Sequence, residues 1–295
     1  MNNVPAINIP AINGPAMTQD QIRAYLERIG LDRFELEHAG LSDFAQLDLE
    51  FLSALQWKHM CAVPFENIDI MNDVPVTLNR EALFDKIVVR RRGGICSELN
   101  TLYNWLLESL GFQVESFSSR VISDAVPYPG RSHRIMCVRL GDDRYITDVG
   151  YNYEHHRKPL LLQDGLLQTD GTCDYLLQRQ AIYGWLMLQK PAGSQQPWRK
   201  KIAFSEDPNL DSDFVAATYF AQYHPDSKIN KALKISRYED GRFYAIRQGD
   251  FLTEDGGVVR TLEPGITDER TEELVQGFFF QTNLGVTKWN VKKSE

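Results

Sequence analysis

A cysteine, a histidine and an aspartate stand in settings where they could act together. Cys96 lies in Arg92-Gly93-Gly94-Ile95-Cys96-Ser97-Glu98-Leu99-Asn100, where the clearest helical pattern of the chain begins. The first turn of a helix leaves backbone N–H groups unpaired and carries about half a positive charge, and both favour a thiolate. The thiolate is the nucleophilic form of cysteine, so this position suits covalent catalysis. Two glycines before it would let the backbone approach a substrate closely. The same residues also describe a small buried thiol beside a Gly-Gly turn, and the segment alone does not choose between the two.

His133 and Asp148 follow on strand-like segments joined by Leu140-Gly141-Asp142-Asp143. If Gly141-Asp142 forms a two-residue hairpin turn, Leu140 pairs with Asp143 and His133 lies opposite Gly150. Asp148 then shares a face with His133, offset diagonally by two residues and within hydrogen-bonding reach. A three-residue turn would move Asp148 to the other face, so the pairing depends on register. An imidazole held by a carboxylate beside a thiol is what nucleophilic catalysis requires. Taken singly, His133 also fits a structural histidine and Asp148 a turn-end carboxylate.

The elements that position these groups are legible in the pattern. Pro5-Ala6-Ile7-Asn8 recurs as Pro10-Ala11-Ile12-Asn13 before Gly14-Pro15, which predicts a loose arm over residues 1–16. Thr18 with Gln21 is a capping box for a first helix ending near Gly30. Leu49, Phe51, Leu52 and Leu55 predict a second helix, broken at Pro64. Asn79 caps a short third one through Leu83 and Ile87. Leu99, Leu102, Tyr103, Leu106, Leu107 and Leu110 then form one apolar stripe that stops at Gly111. From Gln113 the texture becomes strand-like, over 114–122, 134–140, 144–149 and on to about residue 205. The last part mixes a segment at 214–222, strands over 232–253 and an amphipathic stretch at 268–280. Helices, then strands, then a mixture give an α+β arrangement.

Composition limits the partners. The chain has 295 residues, 43% hydrophobic and 24% charged, which is globular and long enough for two or three packed subdomains. A net charge of −8 argues against nucleic acid and against an anionic membrane surface. Within the basic run, Arg90 and Arg91 read as a solvated charge run. No apolar stretch approaches the roughly 20 residues that span a bilayer, and the N-terminus lacks a secretory pattern. Cys61, Cys96, Cys137 and Cys173 have no CxxC spacing, which suggests free thiols in a cytoplasmic protein. His155-His156 reads as a solvated loop with diverging side chains, and no metal is expected.

Four segments carry a resemblance. Val63-Pro64-Phe65-Glu66-Asn67, the Cys96 segment, Ser132-His133 and Asp148-Val149-Gly150 occur in an order and spacing similar to the arylamine N-acetyltransferase family, from about Thr18 to Leu284-Gly285-Val286. The resemblance implies a cysteine-protease-like core in an α+β fold. Behind the arm at 1–16 it places an N-terminal helical bundle (17–111), a central β-barrel (112–212) and a C-terminal α/β lid (213–295). It implies Cys96 as nucleophile, His133 as base, Asp148 as its orienting partner, and Glu66 with Arg92 as a structural ion pair. The implied reaction is ping-pong acyl transfer from a thioester, acetyl-CoA by resemblance, through acyl-Cys96 to an arylamine or other small amine. No cofactor would be bound permanently. Phe65, Tyr128, Tyr151 and Tyr153 are suited to line a planar, apolar acceptor pocket.

The chain departs from the family on the donor side. After Asp-Val-Gly the family continues with an aromatic and a second glycine, where this chain has Tyr151-Asn152-Tyr153. The family's Asn and Ser-Thr pair before Pro-x-Ser are replaced here by Thr218 and Gln222-Tyr223, ahead of Pro225-Asp226-Ser227. Gly150, Asn152, Gln222, Tyr223 and Ser227 are therefore the expected donor contacts. The donor itself stays open between acetyl-CoA and a larger acyl chain on CoA or an acyl carrier protein, as in a biosynthetic amide synthase. A cysteine hydrolase or transglutaminase-like enzyme would share the same three residues.

Overall fold

The computed structural model describes residues 14–31, 47–122 and 129–280. The duplicated tetrapeptide, Tyr128 and Leu284-Gly285-Val286 lie outside the described residues.

Helix α1 (Gln19–Arg28) opens on a reciprocal cap, with the Thr18 hydroxyl accepting from Gln21 N–H and Gln21 Oε1 accepting from Thr18 N–H. Helix α2 (Leu49–Ala62) is capped by Asp48 and is followed by a two-residue strand, β1 (Phe65–Glu66), and a single turn, α3 (Ile68–Met71). Helix α4 (Arg80–Phe84) starts at Asn79 and runs on as a π-helical turn through Val89. Helix α5 (Cys96–Leu110) ends at Gly111, whose φ of 99° is the left-handed conformation that glycine adopts without strain. Every residue of α5 from Ser97 to Leu107 is buried. Its leucines join the core with α1 and α2, and Asn100 and Thr101 turn toward the sheet. A helix so enclosed is a rigid mount for whatever stands at its start.

Eight antiparallel strands follow: β2 (Gln113–Val121), β3 (His133–Leu140), β4 (Asp143–Thr147), β5 (Leu160–Leu161), β6 (Gln168–Thr169), β7 (Cys173–Gln180), β8 (Gly184–Pro191) and β9 (Arg199–Pro208). Their order is β5-β4-β3-β2-β9-β8-β7-β6. The two edge strands are tied by Gln168, which accepts from Leu161 N–H at 2.8 Å and donates to Leu161 O at 2.9 Å, so the sheet is nearly closed into a barrel. Alternation on β3 divides the cores. Ile135 and Cys137 point into the barrel with Phe117, Tyr175 and Trp185, while Met136 and Val138 pack on the helical side. The β3–β4 hairpin pairs Leu140 with Asp143 across a two-residue turn, with Gly141 at φ 62°.

Helix α6 (Val215–Tyr223) leads to a second antiparallel sheet of β10 (Lys234–Glu239), β11 (Arg242–Arg247), β12 (Asp250–Asp255) and β13 (Val258–Glu263). Strand β1 adds to its edge, pairing Phe65 with Ser236 and Glu66 with Ile235. Helix α7 (Asp268–Glu273), continued to Phe279, closes a third core on Ile235, Ile246 and Phe251. No helix among the described residues is long and apolar enough to cross a membrane.

Candidate active site

Cys96 occupies the first position of α5, and its surroundings fix that helix start. Glu98 reaches back to accept from Ile95 N–H at 2.9 Å and takes a second bond from Lys86 Nζ at 2.8 Å. The two glycines have a different role from close substrate approach. A Cβ on Gly93 would lie 2.0 Å from Pro64 O, and one on Gly94 would lie 2.8 Å from Glu98 Oε2. They are glycines because the loop presses against β1 and the Glu98 side chain, where Glu66 N–H bonds Gly94 O at 2.9 Å.

His133 opens β3, and Asp148 lies one residue past β4, so the hairpin register brings them together. His133 Nε2 and Asp148 Oδ2 are 2.6 Å apart, with 3% and 0% of the two residues exposed. The other oxygen, Oδ1, accepts from Asn100 Nδ2 and from Gly150 N–H, both at 2.8 Å. Asn100 stands one helical turn after Cys96 and is completely buried. Its amide also donates to Arg134 O at 2.6 Å and accepts from Val149 N–H at 3.0 Å. One side chain on α5 thus clamps the ends of both hairpin strands.

The electrostatics follow from this packing. Burial disfavours the charged form of His133, but the Asp148 carboxylate and the neighbouring Cys96 outweigh it and raise the imidazole from 6.5 to about 10. Burial pushes Asp148 upward as well, and His133 more than reverses this, holding the carboxyl well below its ordinary range. Since Asp148 takes Nε2, the ring nitrogen left for Cys96 is Nδ1. Cys96 Sγ lies 4.0 Å from Ser132 O, at the start of the same strand.

Behind the helix start sits a charged cluster. Arg92 donates through Nε and Nη2 to Glu66 Oε1 at 3.0 and 2.7 Å, and Nη2 also reaches Asp69 at 2.8 Å. Lys86, nearly buried, pairs with Asp69 at 2.7 Å and Glu98 at 2.8 Å. The cluster joins β1, α3, α4 and α5.

Comparison with known proteins decides the lineage. A family model described as N-acetyltransferase matches residues 48–287. The arylamine N-acetyltransferase of Mycolicibacterium smegmatis is 33% identical over 260 residues, covering 86% of this chain and 90% of that protein. The chain belongs to the arylamine N-acetyltransferase family. A solved arylamine N-acetyltransferase from Salmonella typhimurium superposes with a TM-score of 0.79 at 27% identity, over 92% of this chain and 95% of that one. The Mycobacterium marinum arylamine N-acetyltransferase solved in complex with CoA gives 0.77 at 25% identity, over 90% and 95%. The fold is that of the family, with the cysteine-protease-like core, and the chain is an acyltransferase.

Against the N-acetyltransferase pattern, the remaining expected residues fall in several places. Tyr151 is buried edge-on to His133, ring centres 5.6 Å apart, and Tyr153, 41% exposed, packs on it at 5.6 Å. Phe65 is part of the helical core. Gly150 lies directly against Cys96, since a Cβ there would come within 2.9 Å of Cys96 Cα. Asn152 is buried, its Oδ1 accepting from Ser236 Oγ at 2.7 Å. Gln222 is turned to the backbone of Val76, and Ser227 to Ala221 O and Ile229 N–H, so both are engaged inside the fold. Tyr223 is half exposed and lines a cavity of about 530 Å³ with Pro75, Val76, Val215 and Tyr219, where none of the three central residues takes part.

The reading of His155-His156 as a solvated loop is overturned. Both are buried, their rings 5.2 Å apart and edge-to-face rather than diverging. His155 Nε2 lies 3.1 Å from Asp148 O, and His156 Nδ1 lies 2.9 Å from Lys158 O. Burial holds His155 at about 4, so it is neutral at physiological pH. Sequence reading also passed over Asn100, Lys86 and Asp69 as partners. Only Asn100 carried a signal, its i+4 spacing from Cys96.

Proposed function

We propose that this chain transfers an acetyl group from acetyl-CoA through Cys96 to an arylamine or another small amine. The observation that carries the proposal is a cysteine at the start of a rigid buried helix, beside a histidine whose far nitrogen is fixed 2.6 Å from a buried carboxylate.

In the first half-reaction the Cys96 thiolate attacks the thioester carbonyl. The dipole of α5 stabilises negative charge on the sulfur and on the oxyanion that forms beside it. CoA leaves as the thiol, taking its proton from the His133 imidazolium. In the second half-reaction the amine attacks acyl-Cys96, and His133 takes the proton that the nitrogen loses as sulfur departs. Asp148 holds the imidazole in one orientation and keeps its charged form accessible, with Asn100 and Gly150 N–H holding Asp148. Glu66 and Arg92 brace the loop that ends in Cys96.

Following CoA release after mixing with acetyl-CoA tests this. Without amine, one equivalent of CoA per enzyme should appear in a burst and then stop, and adding an arylamine should start turnover. Continuous CoA release without amine would identify a hydrolase instead. Cys96→Ala should abolish the burst.

A further inference from the structure

Cations gather on the aromatic wall beside His133. Lys201 Nζ lies 5.2 Å from the ring centre of Tyr151 and 5.9 Å from that of Tyr153, and the Arg247 guanidinium stacks 4.2 Å over Tyr153. Lys201 reaches this place through a β-bulge. Met187 pairs with Ile202 and Leu188 with Lys200, which leaves Lys201 without a partner on β8. Bulges re-aim side chains in this way and recur beside active sites.

The charges on this wall do not balance. Lys201 Nζ donates to Glu154 O at 3.1 Å, an uncharged carbonyl, and has no ion pair among the described residues. Arg247 Nη2 donates to Asn152 O at 3.0 Å and to Glu254 at 3.3 Å, while its buried Nε has no hydrogen-bond partner among the described residues. Lys234 is close enough for Arg247 to disfavour its charge, and it too has no ion pair among the described residues. The Glu154 carboxylate is taken by Gly256 N–H at 3.1 Å, Gly257 N–H at 2.6 Å and Arg157 at 3.5 Å. Glu254 pairs with Arg247 at 3.3 Å and is the carboxylate that acts most strongly on Lys201, so one carboxylate is shared between two cations. Burial holds both lysines below the ordinary amine range, so an arriving anion would be bound in a poorly screened setting.

We infer that Lys201 and Arg247 form a recognition site for a substrate carboxylate, carried at the far end of the acyl group or on the ring of the amine. The inference rests on the acyl-transfer reading above. Laid end to end, the two ring contacts put Lys201 Nζ no more than about 11 Å from the His133 ring centre. That is within reach of an acyl chain or an acceptor ring, whereas the pantetheine arm holds the CoA phosphates farther from the reacting carbon. Arg247 Nε, buried without a hydrogen-bond partner among the described residues, and Lys201 Nζ, whose bond goes to a carbonyl, are donors on this wall that a carboxylate would satisfy.

The test compares kcat/KM within matched pairs, for the wild type, Lys201→Met and Arg247→Gln. Succinyl-CoA against butyryl-CoA varies the acyl end and keeps the same CoA, so phosphate contacts cancel. With acetyl-CoA as donor, 4-aminobenzoate against 4-aminobenzamide varies the acceptor. The wild type should favour the charged member of one pair by about 10- to 100-fold, and Lys201→Met should bring that ratio near unity. The pair that responds tells which substrate bears the carboxylate. Preference for the neutral member in both pairs overturns the site even if no variant folds, and so does an unchanged ratio in Lys201→Met. Ordinary acetyl turnover without any charge preference removes this inference alone, while no turnover of any donor removes the acyl-transfer reading and this site with it.

Discussion

Asn100→Ala should separate the support of the site from its reacting groups. The amide makes three buried bonds: to Asp148 Oδ1 at 2.8 Å, to Arg134 O at 2.6 Å and from Val149 N–H at 3.0 Å. Removing it orphans a backbone N–H and deprives a carboxylate and a carbonyl of a donor. Each loss alone is worth about 1–3 kcal/mol, and because partial relaxation makes them less than additive, about 3–5 kcal/mol in total is expected. At roughly 2–4 °C per kcal/mol for a chain of this size, the thermal midpoint should fall by about 6–20 °C. Asp148 keeps its bonds to His133 and Gly150, so the imidazole stays oriented but less firmly. The acylation burst should slow by about 10- to 100-fold, short of the roughly 10⁴-fold expected when the orienting carboxylate itself is neutralised. Scanning calorimetry and stopped-flow CoA release measure the two effects. A variant with a midpoint within a degree or two of wild type and an unchanged burst rate would refute the reasoning.

Other expectations follow from single contacts. His133 is raised from 6.5 to about 10, so its stabilisation is complete below about pH 6.5 and is lost as pH rises toward 10. The thermal midpoint of the wild type should therefore fall more steeply over that window than that of His133→Gln, and equal slopes would contradict the pairing. Gly93→Ala places a methyl 2.0 Å from Pro64 O, a backbone atom that cannot swing aside, so a loss of at least about 1–3 kcal/mol should appear in urea unfolding. An unchanged midpoint would show that the loop is looser than described. Lys86→Met leaves Glu98 with no ion-pair partner among the described residues and Glu66 and Asp69 with Arg92, and should cost about 3–5 kcal/mol on the same assay. A neutral effect would mean that the cluster is solvated.

The sequence was informative where structure is set locally. The stripe from Leu99 to Leu110 defined α5 because it repeats with the helical period, and Gly141-Asp142 set the β3–β4 register because turn chemistry fixes hairpin pairing. Once the register was known, Asp148 had to meet His133. What stayed hidden depends on partners far along the chain. His155 and His156 read as a solvated loop and Asn152 as a donor contact, yet all three are buried, and Glu154 with them. They are buried because Ser236, Gly256 and Gly257, Tyr238 and Gln56 satisfy them from distant segments. Strand β1 pairs with β10 about 170 residues away, which no local pattern announces. The role of Gly93 was misread for the same reason, since glycine freedom and glycine crowding look alike in sequence. Lys201 is aimed by a bulge, and a bulge is a property of two strands together.

Every step of the proposed reaction depends on Cys96 carrying the acyl group. Intact mass spectrometry after incubation with acetyl-CoA and no amine, followed by peptide mapping, examines that directly. The expected result is an increment of one acetyl group per chain, mapped to the peptide containing Cys96 and discharged when an arylamine is added. An unmodified chain, or an acetyl group on Cys61, Cys137 or Cys173 instead, would contradict it.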